Sequence, residues 1–175
     1  MLGLNKLFNN LTGHGVNKRD KNGETQLYRA VKNGDVRTVK KLLAQGADPN
    51  VPNNHKLTPL HHAAYWGENE MVDALLKAGA DVQLHNGRGW TALHSAAVSG
   101  GMRSRKKTIE LLKKAGAKDD VKDKQGWTAA DYLLLWEENA TAAEKLKEFL
   151  QIPNGLSPSG GHAKPKPPTP AAPKP

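Results

Sequence analysis

The sequence predicts an all-α solenoid, a stack of helix-turn-helix units joined by turn fingers, and three observations predict it. First, Thr25, Thr58 and Thr91 are 33 residues apart, and Thr128 comes 37 further on. Aligned on these threonines, one skeleton returns: ETQLYRAVKNGDVRTVKKLLAQGAD, TPLHHAAYWGENEMVDALLKAGAD, TALHSAAVSG with IELLKKAGAKDD, and TAADYLLLWEEN. Second, the copies carry the start and stop signals of short helices. Third, the facing residues are small, so a unit cannot bury a core alone and needs copies of itself beside it.

The central copy, Thr58 to Val82, shows the construction. The Thr58 hydroxyl can cap a first helix, and Pro59 takes the first helical position, where its missing N–H costs nothing. Leu60, Ala63 and Ala64 make a narrow apolar stripe that Gly67 stops. A second helix follows with Met71, Val72, Leu75 and Leu76 on one face, ended by Gly79. On these residues the chain resembles an ankyrin-repeat protein: the period, the Thr58-Pro59-Leu60-His61-x-Ala63 core and the helix-turn-helix unit are that family's signature. The resemblance implies an ankyrin-repeat solenoid with β-turn or hairpin fingers over residues 20–151, in repeats near 21–53, 54–86, 87–123 and 124–151. The first and last repeats would act as caps.

In chain order, residues 1–19 form a lead in which Leu4, Leu7, Phe8 and Leu11 fall at helical spacing, as expected of a short helix covering the first repeat. A membrane-surface anchor is the alternative, weakened because Lys6 alone supplies charge where such helices are rich in it. The first repeat carries Gln26, Tyr28 and Val31 where proline, histidine and alanine are usual in the family, which suits an edge unit. The second repeat has Lys56-Leu57 where Gly23-Glu24, Gly89-Trp90 and Gly126-Trp127 stand elsewhere. A regular turn is in question there, because glycine normally takes the positive-φ position.

The third repeat carries four extra residues, about three of them in SGGMRSRKK between its helices, and this insertion is expected to bulge at the surface. The fourth has Asp131 in the histidine position. Its second helix is expected to begin at the capping box Thr141-x-x-Glu144 and to end in Leu146, Phe149 and Leu150. Residues 152–175 are rich in proline, glycine, alanine and lysine and are expected to be disordered. Within them Lys164 to Pro170 reads as a semi-rigid spacer or as a ligand for a proline-binding domain.

The formal net charge is +9, and residues 102–124 concentrate it, with nine Lys/Arg against four Asp/Glu. There is no cysteine, so disulfides and thiolate metal sites are excluded. No run reaches the roughly 18 apolar residues of a membrane span, and the first ten residues lack a signal-peptide pattern. A cytoplasmic protein is the expectation, with export as a bacterial ankyrin effector the minority reading.

No catalytic residue, metal ligand or cofactor motif emerges. There is no phosphate-binding glycine loop, no H-E-x-x-H and no nucleophile-elbow serine. Glu68 with Glu70, and Glu137 with Glu138, read as solvated acids. Asp35 and Glu68 suit helix N-termini. His62 and His85 lack partners at ligand spacing. For His61 and His94 the resemblance implies a structural role, hydrogen-bonded to backbone near the turn.

Tryptophan carries more information. Trp90 and Trp127 directly precede a threonine, while Trp66 and Trp136 close first helices. The resemblance implies that such places, on the turn tips and the concave side of the first helices, contact targets. Tyr65 adjoins Trp66; His55, Leu57 and Arg88 occupy further turn positions; Lys32 is the first repeat's counterpart of Tyr65. Equivalent positions line up along a stack, and Trp, Tyr and Arg are the side chains that dominate binding, at roughly 2 kcal/mol or more each. The expected partner-binding residues are therefore Tyr65, Trp66, Arg88, Trp90, Trp127, His55, Leu57 and Lys32, with local packing over the turns as the competing reading.

A second candidate surface is Arg103, Arg105, Lys106 and Lys107, continued by Lys113 and Lys114. Its ordinary reading is a solvated outer helix and loop. The functional alternative is an acidic partner, nucleic acid or anionic membrane, although no interleaved aromatic supports single-strand binding. The leading expectation is a non-catalytic protein-protein interaction module (adaptor, inhibitor or scaffold), monomeric alone and presenting its concave face to a protein target.

Overall fold

The structure, a computed structural model, describes residues 15–99 and 102–138. Seven helices are described: α1 (Gln26–Lys32), α2 (Val36–Ala44), α3 (Pro59–Trp66), α4 (Asn69–Lys77), α5 (Ala92–Ala97), α6 (Met102–Lys114) and α7 (Ala129–Glu138). No strand occurs among the described residues. The expected helix over Leu4–Leu11, the closing helix after Thr141 and the 152–175 tail lie outside them.

The helices stack in two layers. An inner row packs α1 on α3, α3 on α5 and α5 on α7; an outer row packs α2 on α4 and α4 on α6. Small side chains let the inner row approach closely: Ala63, Ala64, Ala96 and Ala97 are all fully buried. Val39, Met71, Val72, Leu75 and Leu112 fill the seam between the rows. Each inner helix is started by its threonine. The Thr25 side chain accepts the Tyr28 N–H, and Thr58 and Thr91 form reciprocal boxes with His61 and His94.

The histidines also join one unit to the next. The His61 Nδ1 accepts the Thr58 N–H, which leaves the proton on Nε2 to be donated to the Trp90 carbonyl at 2.8 Å. His94 repeats this with the Trp127 carbonyl at 3.1 Å. In the fourth unit Asp131 caps Thr128 through the same reciprocal contact.

Four turns join the units, and an Asp or Asn shapes each of them in the same way. The Oδ1 of Asp20, Asn53, Asn86 and Asp123 each accepts two backbone N–H groups, from the residues two and four positions later. Single backbone bonds tie neighbouring tips together: Asn54 N–H to the Asn22 carbonyl, Gly87 N–H to His55, and Lys124 N–H to Arg88. The second turn is regular despite its missing glycine. Lys56 itself adopts φ +60°, where Gly23, Gly89 and Gly126 take +74°, +83° and +83°. Side-chain sterics make that conformation cost roughly 1–2 kcal/mol for a non-glycine residue. Lys56→Gly is therefore expected to stabilise the chain by about 0.5–1 kcal/mol, once glycine's extra unfolded-state entropy is offset, as measured by urea denaturation.

From Met102 on, the insertion is helix rather than a surface bulge. Helix α6 has 13 residues where α2 and α4 have 9, so the extra residues lengthen the helix by a turn. The added turn lies over the α3–α4 junction. There the Ser104 hydroxyl donates to the Gly67 carbonyl, and the Thr108 hydroxyl donates to the Asn69 side-chain oxygen at 2.8 Å. This contact explains a glycine. Gly67 has φ +65°, and a Cβ there would lie 2.0 Å from the Ser104 hydroxyl oxygen, whereas the equivalent Gly34 faces open space.

Candidate functional site

A cavity of about 380 Å³ opens between the second and third turns and the α3 helix. Its size is near the lower end of the roughly 300–1,000 Å³ typical of ligand pockets, enough for one or two side chains of a partner. His55 and Leu57 come from the second turn, Tyr65 from the end of α3, and Arg88 and Trp90 from the third turn. Five of the eight residues expected to contact a partner thus meet around one space.

Those five are held in different ways. Trp90 is only 6% exposed. Its indole N–H donates to the Asp123 carboxylate at 2.9 Å, and its ring stands 5.3 Å from that of Tyr132. The Arg88 guanidinium sits 5.7 Å above the Trp90 ring, a cation–π distance. Trp90 therefore shapes the wall and positions Arg88, rather than offering an open aromatic face. Tyr65 is half-buried, set edge-on to Trp66 at 5.2 Å, and burial raises its phenol pKa to about 12. Leu57 is half-buried and His55 exposed.

The other three do not line the cavity. Trp66 is half-buried beside His62, 6.3 Å between rings. Lys32 is paired with the buried Glu24 at 3.1 Å. Trp127 packs 5.7 Å from Tyr132, and its carbonyl receives the His94 proton.

The basic patch is reshaped by the lengthened helix. Arg105 is not part of a solvated face. It is 7% exposed, and its Nε–H donates to the Ser99 carbonyl at 3.0 Å. A charged head placed by an otherwise polar segment can bury its stem and satisfy a carbonyl, which composition alone does not disclose. Lys106 and Lys107 are exposed on α6, Lys113 pairs with Asp119 at 2.8 Å, and the Arg103 side chain lies outside the described ones.

Sequence reasoning passed over two features of the site. One is the Asp20, Asn53, Asn86 and Asp123 series, which shapes the turns and was legible as the same 33-residue period. The other is the place of His62, which the sequence offered only as a metal ligand without partners: it is 3% exposed and lines the cavity, and its Nδ1 has no hydrogen-bond partner. Burial lowers its pKa to about 3 and holds it neutral. Its ring stands 5.7 Å from Tyr28, whose buried hydroxyl also has no partner.

Among the described residues, no group of three or more His, Cys, Asp or Glu could hold a metal ion. No described helix is long and apolar enough to cross a membrane. The described helices form a stack of helix pairs with a cavity between neighbouring turns, the architecture of a repeat protein. Comparison with known families agrees: residues 2–86 match the model for ankyrin repeats (3 copies), and residues 88–124 match that for an ankyrin repeat. The chain belongs to the ankyrin-repeat family, whose members are generally non-catalytic protein-interaction modules.

Among curated proteins, a 46-residue stretch is 50% identical to part of "Regulatory protein SWI6" of Kluyveromyces lactis. That stretch is 26% of this chain and 6% of the relative, so the chain spans only a small part of that protein's length.

Proposed function

We propose that this chain is a non-catalytic binding module, an adaptor, inhibitor or scaffold, whose protein target docks in the groove between the second and third turns. The observation that supports it is the meeting of His55, Leu57, Tyr65, Arg88 and Trp90 around one open cavity. Because backbone bonds already fix the neighbouring turns against each other, little ordering is needed on binding. Purely charge-driven association through α6 has less to work with, since Arg105 is buried and Lys113 is ion-paired. The cytoplasm is the compartment proposed for this activity.

A photo-crosslinking residue placed at position 57, and separately at position 107, tests the reading in an extract of the source cells. Position 57 is expected to yield discrete protein adducts that position 107 does not. Tyr65→Ala is expected to weaken the captured target by about 2 kcal/mol, some thirtyfold. Adducts from position 107 alone, or adducts from position 57 indifferent to Tyr65→Ala, would contradict it.

A further inference from the structure

The repeat itself shows what would fill the groove, on the footing that the groove is the docking site. Three places meet where one unit joins the next: the residue before a threonine, the Asp or Asn that shapes the following turn, and the residue four positions after the following threonine. Between the third and fourth units these are Trp90, Asp123 and Tyr132. The two rings lie 5.3 Å apart. The indole N–H at 2.9 Å and the phenol O–H at 2.6 Å both donate to the Asp123 Oδ2. Trp90 is 6% and Tyr132 4% exposed, so that junction is filled.

One junction earlier the same places hold Leu57, Asn86 and Ser95, and all three line the cavity of about 380 Å³. An aliphatic side chain replaces an indole and a hydroxymethyl group replaces a phenol, which leaves open the room that two rings occupy in the next copy. Asn86 keeps the turn: its Oδ1 accepts the Arg88 and Trp90 N–H groups, as the Asp123 Oδ1 accepts those of Gln125 and Trp127. Those two donors fix which way the amide faces, so its Nδ2 stands where Asp123 has Oδ2. Among the described residues that Nδ2 donates to nothing. His62, 3% exposed and lining the same cavity, leaves its Nδ1 without a partner.

We infer that the groove takes a tyrosine side chain of the protein partner. Its ring stands over Ser95 as Tyr132 stands one unit on, between walls supplied by Leu57 and Tyr65, and its hydroxyl oxygen accepts the Asn86 Nδ2–H. The exchange of a carboxylate oxygen for an amide N–H selects the tip of the anchor. An indole N–H cannot accept, and phenylalanine or leucine would bury the amide unpaired. A hydroxyl, acceptor and donor at once, suits a space that holds an unused donor and an unpartnered ring nitrogen. Burial of the ring supplies most of the affinity.

Selection from a random dodecapeptide display library against the full chain tests this. The enriched peptides are expected to share a tyrosine, and its replacement by phenylalanine in the best of them should lower affinity about tenfold, the worth of one hydrogen bond. Ser95→Tyr supplies the ring from within and should abolish peptide binding. Leu57→Trp, on the half-buried turn, fills the same space from the other side and should weaken binding at least tenfold, which keeps the test open if Ser95→Tyr does not fold. Peptides that share a different anchor, or that bind equally with phenylalanine, and are still excluded by these substitutions would overturn the tyrosine assignment and leave the groove standing. Peptides indifferent to both substitutions and to Tyr65→Ala would remove both. p-Cresol binding as tightly as the best peptide would assign the cavity to a free phenolic molecule and overturn the inference. Failure to enrich any peptide also overturns it.

Discussion

Asp123→Ala is expected to destabilise the chain by about 2–5 kcal/mol. The carboxylate is 7% exposed and accepts four hydrogen bonds. One oxygen closes the fourth turn on the Gln125 and Trp127 N–H groups. The other takes the Trp90 indole N–H at 2.9 Å and the Tyr132 hydroxyl at 2.6 Å. Truncation leaves two buried side-chain donors without acceptors, each costing roughly 1–3 kcal/mol, while the turn N–H groups can turn to water. Asp123→Asn should fall between the two, because it keeps an oxygen for the turn but presents an amide N–H₂ to the indole donor. Trp90→Phe made alongside Asp123→Ala should reduce the added cost of the aspartate change, a coupling that urea denaturation of the four-member cycle measures. Additive losses would show that the Asp123–Trp90 bond carries no energy.

Acidification is expected to have the second large effect. His61 is held neutral by burial, with a pKa of about 4, and His62 by burial with a pKa of about 3; burial also lowers that of His94. In the unfolded chain each returns to about 6.5. Between those values the unfolded state binds more protons, so stability is complete above about pH 6.5 and is lost as pH falls towards 4. At about 1.4 kcal/mol per pH unit, His61 alone contributes on the order of 3 kcal/mol to that loss. The lowered carboxyls of Asp20, Asp35 and Asp131 add to the loss only below about pH 4, so they do not obscure the window. His62→Phe removes one titrating group and no hydrogen bond made by its Nδ1. It should flatten the dependence of the denaturation midpoint between pH 7 and 4. An unchanged slope would contradict the assignment.

The stack was legible because its signals repeat. A threonine cap every 33 residues, alanines on the facing side and glycine stops are local features, and several copies agreeing leave little room for another fold. What depended on contacts between units was less legible. Trp90 reads as an exposed hot spot until Asp123 of the fourth turn and Tyr132 of α7 are brought to its ring. Arg105 reads as surface because charge usually does, and only the lengthened α6 carries its head to the Ser99 carbonyl. The insertion's good helix formers, arginine and lysine, favoured an added turn over a loop. Lys56 shows the converse: the frame of the turn, fixed by Asn53 and the bond to the third tip, imposes a left-handed conformation that the residue itself disfavours.

Hydrogen–deuterium exchange of the chain, with and without the protein captured through position 57, tests the groove most directly. The account predicts slowed exchange over residues 54–66 and 86–91 and unchanged exchange along the exposed side of α6. Protection confined to α6, with the second and third turns unaffected, would contradict it.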